Sequence, residues 1–185
     1  MSTYNVLVLS LKKDIDRRKH INAVLYNLGL SFEFFDATTP KELSYYFENI
    51  YCSKIDIGKK VKKRAVYATF HSHLNILQSI FNSKKHTLVL EDDLIPVREF
   101  DFKNINFDSF DVLQLMSEVS CCCQFVSWPA AGDILWTLRQ QDFYPTQAFD
   151  WELHKLRNDF NIQTVDEPVF KQSNKFVSNL APYGY

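Results

Sequence analysis

The sequence predicts an α/β fold with a mainly parallel central sheet flanked by helices, and three neighbouring segments near its start carry that prediction. Residues Tyr4 to Leu11 form an almost uninterrupted apolar run, which is typical of a strand buried on both faces of a parallel sheet. A helical pattern follows, and Gly29 stands where that helix is expected to stop. Residues Ser31 to Ala37 then predict a second strand. The order strand, helix, strand favours parallel pairing.

Length and composition indicate one folded domain spanning residues 1–185. The chain has 185 residues, of which 46% are apolar and 15% aromatic, so it can bury a sizeable core. Its net charge of −1 argues against a general nucleic-acid binder. No apolar run is long enough for a transmembrane helix, and no secretory signal is present. The adjacent cysteines at 121–123 lack the spacing of a zinc site, so we expect reduced thiols in a cytoplasmic protein.

The middle of the chain predicts two further helices separated by a basic loop. Thr39 and Glu42 fit a capping box, and the helix that they begin is expected to fade near Tyr51. Residues 52–64 are predicted to form a loop in which five of the six residues 59–64 are positively charged, and this loop is either simply solvated or contacts a diphosphate or an anionic membrane surface. The second helix has an apolar face made by Val66, Phe70, Leu74, Leu77 and Phe81.

The later chain predicts two strands and two helices. The strands are residues 111–115 and 122–127. One helix opens at Pro129 with Ile134, Leu135 and Leu138 facing inward. Asp150 is expected to cap the other helix, whose apolar face is Leu153, Leu156 and Phe160. No element is predicted beyond Pro168.

Three consecutive acids follow the strand Thr87 to Leu90, and this is the most informative stretch of the chain. Glu91, Asp92 and Asp93 would repel one another at the end of a buried strand. A divalent cation removes that repulsion, and Mg²⁺ or Mn²⁺ binds through one or two carboxylates together with a diphosphate. In open α/β sheets the ligand site lies just past the carboxyl ends of the strands. The alternative is a solvated turn.

Several short motifs occur in order over nearly the whole chain: Asp16-Arg17-Arg18, Phe32 to Ala37, Ser72-His73-Leu74, Leu90 to Asp93, Phe110 to Leu115, Phe125 to Ser127 with Ala131, Asp150-Trp151, and Pro168 to Gln172. In this order they resemble glycosyltransferase family 25, the lipooligosaccharide glycosyltransferases, and the related domains of collagen galactosyltransferases. The segment from Lys63 to Tyr67 departs from the family, which usually has Gly-Glu-x-Gly-Cys there. The segment between Leu115 and Cys122 is also short, and both departures bear on the acceptor.

The resemblance implies a GT-A-like (Rossmann-like) nucleotide-sugar-binding domain. Its reaction would move a hexose, galactose or glucose, from a UDP-sugar to a hydroxyl of a glycan or lipooligosaccharide acceptor, with inversion and with Mn²⁺ or Mg²⁺. It also implies a cytoplasmic protein, or one peripheral to the inner face of a membrane. Two alternatives remain open. One is an inactive relative that binds sugar nucleotides or glycans, and the other is a metal-dependent phosphoryl-transfer enzyme.

The resemblance also suggests roles for individual residues. Asp93 and Glu91 would bind the metal, and Glu91 and Asp92 would act through water or hold the donor ribose. Arg17 and Arg18 would contact the diphosphate, unless they form only a solvated helical turn. Asp150 would be the catalytic base, unless it serves only as a cap, in which case Asp111 and Glu152 come next. The remaining expected substrate-binding residues are Leu11 and His73, and His73 could equally be a packed helix histidine.

Overall fold

A computed structural model of the chain describes residues 4–43, 60–116, 120, 122–140 and 148–176, with the backbone alone for residues 60–63. Its strands are β1 (Asn5–Ser10), β2 (Glu33–Asp36), β3 (Thr87–Glu91), β4 (Leu94–Pro96), β5 (Val112–Gln114), β6 (Cys123–Val126), β7 (Ile162–Thr164) and β8 (Phe170–Gln172). Its α-helices are α1 (Ile15–Asn27), α2 (Lys60–Ser83), α3 (Trp128–Leu138) and α4 (Phe149–Lys155), and the last continues as a short 3₁₀ turn, Leu156–Asn158.

Six of these strands form one sheet in the order β2-β1-β3-β6-β5-β7. Strand β1 pairs in parallel with both β2 and β3, and β5 pairs in parallel with β7. Strand β6 runs antiparallel to β3 and to β5. Strands β4 and β8 form a separate antiparallel pair. The predicted α/β class with a mainly parallel central sheet is confirmed.

The central strands are buried because helices cover both faces of the sheet. Successive side chains of a strand point to opposite faces. Accordingly Val6 and Val8 join the core formed with α1, whereas Leu7 and Leu9 join the core formed with α2 and α3. This explains why β1 is apolar without alternation. Helix α1 ends as predicted, and Gly29 adopts the left-handed backbone conformation with φ of 66°.

Two predictions about helix starts are wrong. Helix α2 begins at Lys60, so the end of the predicted loop 52–64 is helical. Lysine and arginine are good helix formers, which is why a charged run did not exclude a helix. The N-cap of α4 is Ala148, and Asp150 lies inside the first turn.

In the described part of the segment after β2, where the sequence predicts a helix start, residues 40–42 form a turn. The backbone N–H of Thr39 donates to Glu42 Oε2 over 2.7 Å, which is one half of a capping box. The rest of that predicted helix, residues 44–51, lies outside the described residues. Within the part of the chain that is described, no helix is both long enough and apolar enough to cross a membrane.

Candidate active site

A cleft of about 310 Å³ lies at the carboxyl ends of β1, β2 and β3. This is the edge of the sheet at which α/β proteins bind ligands. Several parts of the chain contribute to it: the end of β1 and the start of α1, the segment after β2, helix α2, the acids at the end of β3, Cys122 just before β6, the start of α4, and Gln172 at the end of β8. The predicted site residues that line it are Leu11, Arg17, His73, Glu91, Asp92, Asp93 and Asp150.

Asp92 and Asp93 are held by one guanidinium. Arg17 Nη1 lies 3.1 Å from Asp92 Oδ1, and Arg17 Nη2 lies 2.6 Å from Asp93 Oδ2. The hydroxyl of Ser10 donates to the second oxygen of Asp92 over 2.6 Å. Both oxygens of Asp92 are therefore occupied within the protein. Arg17 can offset only one of the three negative charges that Glu91, Asp92 and Asp93 carry.

Asp93 keeps one oxygen without a partner. Its Oδ1 is buried and makes no hydrogen bond to any described residue. Burial raises the pKa of Asp93 to about 6, and the negative charge of Glu91 adds to this effect. Both effects penalise the ionised form, and a cation beside Oδ1 would stabilise it.

His73 lies between the acids and helix α4. Its ring stacks on Phe149, with 4.4 Å between centroids and 8° between planes, and its Nε2 lies 3.7 Å from Glu91 Oε1. Burial opposes ionisation of Glu91, but the contacts with His73 and Cys122 and the positive charge of Arg17 together outweigh it, so the pKa of Glu91 is lowered. His73 is only 3% exposed, so it belongs to the core and to the cleft at once.

Asp150 faces the same cleft from the first turn of α4. Its Oδ1 accepts a hydrogen bond from the Trp151 backbone N–H over 3.1 Å. Burial raises the pKa of Asp150, which makes its carboxylate a stronger base than an exposed one. The two alternative bases lie elsewhere. Asp111 accepts from the Asn161 backbone, Glu152 pairs with Lys155, and neither lines the cleft.

Arg18 turns away from the cleft. Its guanidinium pairs with Asp36, donates to the hydroxyl and carbonyl oxygens of Ser10, and lies 4.6 Å from the ring centroid of Phe34. Arg18 therefore braces Ser10, which in turn holds Asp92.

The structure adds residues that the sequence analysis did not assign to a site. Ser10 could have been noticed in the sequence, because it is a polar residue at the end of a buried apolar strand. Lys13 lines the cleft and is exposed, and only its charge could have marked it. Cys122 also lines the cleft, and burial raises the pKa of its thiol, as it does for Cys123. Both are free thiols, and Cys121 lies outside the described residues.

The donor set fits a hard divalent cation that takes further ligands from a substrate. Among the described residues, no three His, Cys, Asp or Glu side chains are arranged to hold one ion. A closed protein cage is thus not formed there. Mg²⁺ and Mn²⁺ need only one or two carboxylates when phosphate oxygens and water complete their coordination. The partnerless oxygen of Asp93 and the excess negative charge suit that mode.

Comparisons with known proteins point to glycosyl transfer. The model of glycosyltransferase family 25, described as LPS biosynthesis protein, matches residues 3–120, which is more than half of the chain. No curated protein matches the chain. Among solved structures, the chain is similar to a glycosyltransferase involved in the glycosylation of the major capsid of PBCV-1. That likeness has a TM-score of 0.50 and 14% identity, and it covers 97% of this chain and 96% of the other, so it concerns the fold alone.

Proposed function

Because the chain belongs to glycosyltransferase family 25, its reaction is the transfer of a sugar, and we propose that the cleft uses a UDP-hexose as donor. The sugar would be galactose or glucose, and the acceptor would be a hydroxyl of a glycan or lipooligosaccharide. One observation carries the proposal: the acid cluster of Glu91, Asp92 and Asp93 lines the same cleft as Asp150. This cluster has more negative charge than Arg17 can offset, and Asp93 Oδ1 makes no hydrogen bond to any described residue. Such a cleft can receive a diphosphate at one group and an acceptor hydroxyl at the other.

Asp150 acts as the base in this proposal. Its carboxylate takes the proton of the acceptor hydroxyl while that oxygen forms a bond to the anomeric carbon. The bond between the anomeric carbon and the diphosphate breaks, and the diphosphate leaves with the electron pair. Attack from the face opposite the leaving group inverts the anomeric configuration. The raised pKa of Asp150 favours this proton transfer because a stronger base accepts a proton more readily.

Asp93 and Glu91 would hold Mn²⁺ or Mg²⁺ together with the donor. The metal, when bound, would offset the negative charge that develops on the leaving diphosphate. Asp92 orients Arg17 through the ion pair of 3.1 Å. Arg17 adds fixed positive charge beside the diphosphate and keeps Asp93 in place. The contacts of Arg18 favour a bracing role over direct contact with the donor.

The proposal is tested by following donor consumption and donor binding. Purified protein is incubated with a panel of UDP-sugars in Mn²⁺, Mg²⁺ or EDTA, and free UDP is measured with and without oligosaccharide acceptors. We expect UDP release from one hexose donor, dependent on the metal. Asp93→Asn keeps the size of the side chain and removes its charge, so it should abolish Mn²⁺-dependent UDP binding in calorimetry. Asp133→Asn, on the exposed surface of α3, is the matched control.

Two results would contradict the proposal. Tight UDP binding without any sugar transfer, across the full donor and acceptor panel, would indicate an inactive relative. Release of UMP instead of UDP would indicate phosphoryl transfer. Wild-type affinity for UDP and Mn²⁺ in Asp93→Asn would remove the metal assignment but leave sugar transfer standing.

A further inference from the structure

Ser72 joins helix α2 to the segment that follows β2. The side chain is fully buried, with 0% exposure. Its hydroxyl donates to the Ala68 carbonyl over 2.7 Å and accepts from the backbone N–H of Thr38 over 2.8 Å. The first contact is the ordinary local bond of a helical serine. The second joins residues that are 34 positions apart in the sequence, so it is a tertiary contact.

The neighbouring residue strengthens this link. His71 Nδ1 lies 3.1 Å from Thr38 Oγ1, so both the backbone and the side chain of Thr38 are tied to α2. Ala37, one residue earlier, still bonds to β1 through its N–H and the Ser10 carbonyl over 2.9 Å. Beyond Ala37, the described segment leaves the sheet, and Ser72 takes over as its anchor.

The anchored segment, residues 37–40, forms one wall of the cleft. We call it the β2 wall. Two small side chains of α2, Ala65 and Ala68, line the cleft as well. Thr38 and Thr39 are the polar residues of this wall. The acids Glu91, Asp92 and Asp93 lie at the end of β3, on the other side of β1.

We propose that Ser72 is a positioning residue that holds the β2 wall in the shape that receives the nucleoside of the donor. This rests on the proposed function for the identity of the ligand, and on the hydrogen bonds alone for the clamp. Ser72 borders the cleft, but its side chain is fully buried and its hydroxyl is engaged by Ala68 and Thr38, so we assign it a role through the wall. Its removal leaves the Thr38 N–H without an acceptor and loosens the wall.

The clamp is tested without ligand by amide hydrogen exchange. In Ser72→Ala the Thr38 amide should exchange roughly 5- to 30-fold faster, the factor that corresponds to one or two kcal/mol. Ser83→Ala is the matched control, because Ser83 lies on the same helix and donates only to the Ile80 carbonyl. Ser72→Thr keeps the hydroxyl and should restore slow exchange. Unchanged Thr38 exchange in Ser72→Ala would overturn the clamp. If Ser72→Ala unfolds, Ser72→Cys gives the same measurement with a weaker acceptor.

The ligand is tested by calorimetry with uridine and with UDP plus Mn²⁺. Ser72→Ala should lower the affinities for uridine and for UDP with Mn²⁺ by the same factor, at least roughly threefold. The reason is that the β2 wall would adopt its binding conformation less often. In sugar transfer, KM for the donor should rise while kcat stays within about twofold. Asp93→Asn should abolish the Mn²⁺-dependent binding of UDP and leave the affinity for uridine unchanged. Faster Thr38 exchange with unchanged uridine affinity would overturn the nucleoside assignment. Failure of the proposed function would look different, because the wild type itself would then bind neither ligand or would bind UDP without transferring sugar.

Discussion

At the scale of single residues, the cleft depends on how a few charges are shared. Arg17 bridges Asp92 and Asp93, whereas the adjacent Arg18 pairs with Asp36. Successive residues of an α-helix differ by about 100° around its axis, so two neighbouring arginines cannot serve one ligand in the same way. The adjacent residues Arg17 and Arg18 predicted cationic side chains near the ends of the strands. Only the helix rotation decides which of them reaches the cleft.

Asp150→Asn should slow sugar transfer by about 10²- to 10⁴-fold, the usual contribution of a general base. The stability should barely change, because Ala148 and not Asp150 is the N-cap. Since burial raises the pKa of Asp150, the wild-type rate should fall with decreasing pH at a higher pH than for an exposed aspartate. Rates at saturating donor check the first point, and thermal unfolding checks the second.

The control for Asp150 is Asp159→Asn, on an exposed position after the 3₁₀ turn. It should leave both the rate and the melting temperature unchanged. A rate for Asp150→Asn close to that of the wild type would exclude the base role. Since Asp111 and Glu152 do not line the cleft, His73 would then be examined first.

Lys13 offers a second test at residue scale. It lines the cleft four residues before Arg17, and among the described residues no ion pair engages its ammonium group. Lys13→Ala should weaken UDP binding by about 1.5–3 kcal/mol, the scale of a hydrogen bond to a charged group. Uridine binding should not change, because uridine has no phosphate. Lys12→Ala is the matched control, since Lys12 is also exposed but does not line the cleft. Equal losses of UDP affinity in the two variants would indicate a general electrostatic attraction of the phosphates instead of a direct contact with Lys13.

At the scale of elements, the sequence predicted those segments whose pattern is long enough to repeat. Helices α1 and α3 and the apolar strands β1 and β3 were found in this way. Strands β4, β7 and β8 have three residues each, which is too short for a period to show. Strand β4 also pairs with β8, more than seventy residues later, and that contact is tertiary. The run of acids at the end of an apolar strand marked Glu91, Asp92 and Asp93 as site candidates, and the resemblance marked Asp150, but neither could give the Ser72 to Thr38 bond.

The packing of α2 on α3 can be tested at Gly132. A Cβ at this position would lie 2.5 Å from the ring of Phe81, so Gly132→Ala must displace that ring or separate the helices. In the wild-type background we expect a lower melting temperature. In Phe81→Ala the obstacle is gone, and Gly132→Ala should stabilise the protein by about 0.5–1 kcal/mol through helix propensity. Chemical denaturation of the four proteins in the double-mutant cycle measures the coupling. Additive effects would show that the ring moves aside without cost.

At the scale of the whole molecule, two cores on opposite faces of one sheet must form together. The core on the α1 face contains Tyr4, Leu88 and Phe125, and the other contains Leu7, Phe70 and Ile134. The sheet edge that carries the cleft is therefore fixed by both layers. Tyr4 is a long-range tie within the first core, because its hydroxyl donates to the Phe102 carbonyl over 2.7 Å. Only 5% of Tyr4 is exposed.

Tyr4 should make the global stability fall at alkaline pH. Burial raises its pKa to about 12 from an ordinary 10.0, and the negative charge of Asp101 adds to this. The folded state thus holds the phenolic proton more tightly than the unfolded state. The resulting stabilisation is fully present below pH 10 and is lost progressively as the pH rises through 10 to 12. Its full size is about 2–3 kcal/mol, since one pKa unit corresponds to about 1.4 kcal/mol.

Urea denaturation from pH 8 to pH 12 of the wild type and of Tyr4→Phe isolates this effect, because the other titrating groups are common to both proteins. Tyr4→Phe should be less stable at pH 8, where the Phe102 carbonyl loses its buried donor, by about 1–3 kcal/mol. The difference between the two proteins should then shrink as the pH rises, since only the wild type has this proton to lose. Tyr26→Phe, at a side chain that is 82% exposed, should keep the wild-type slope. A constant difference between wild type and Tyr4→Phe across this range would mean that the phenol titrates alike in both states, and the tie between Tyr4 and Phe102 would then not survive in solution.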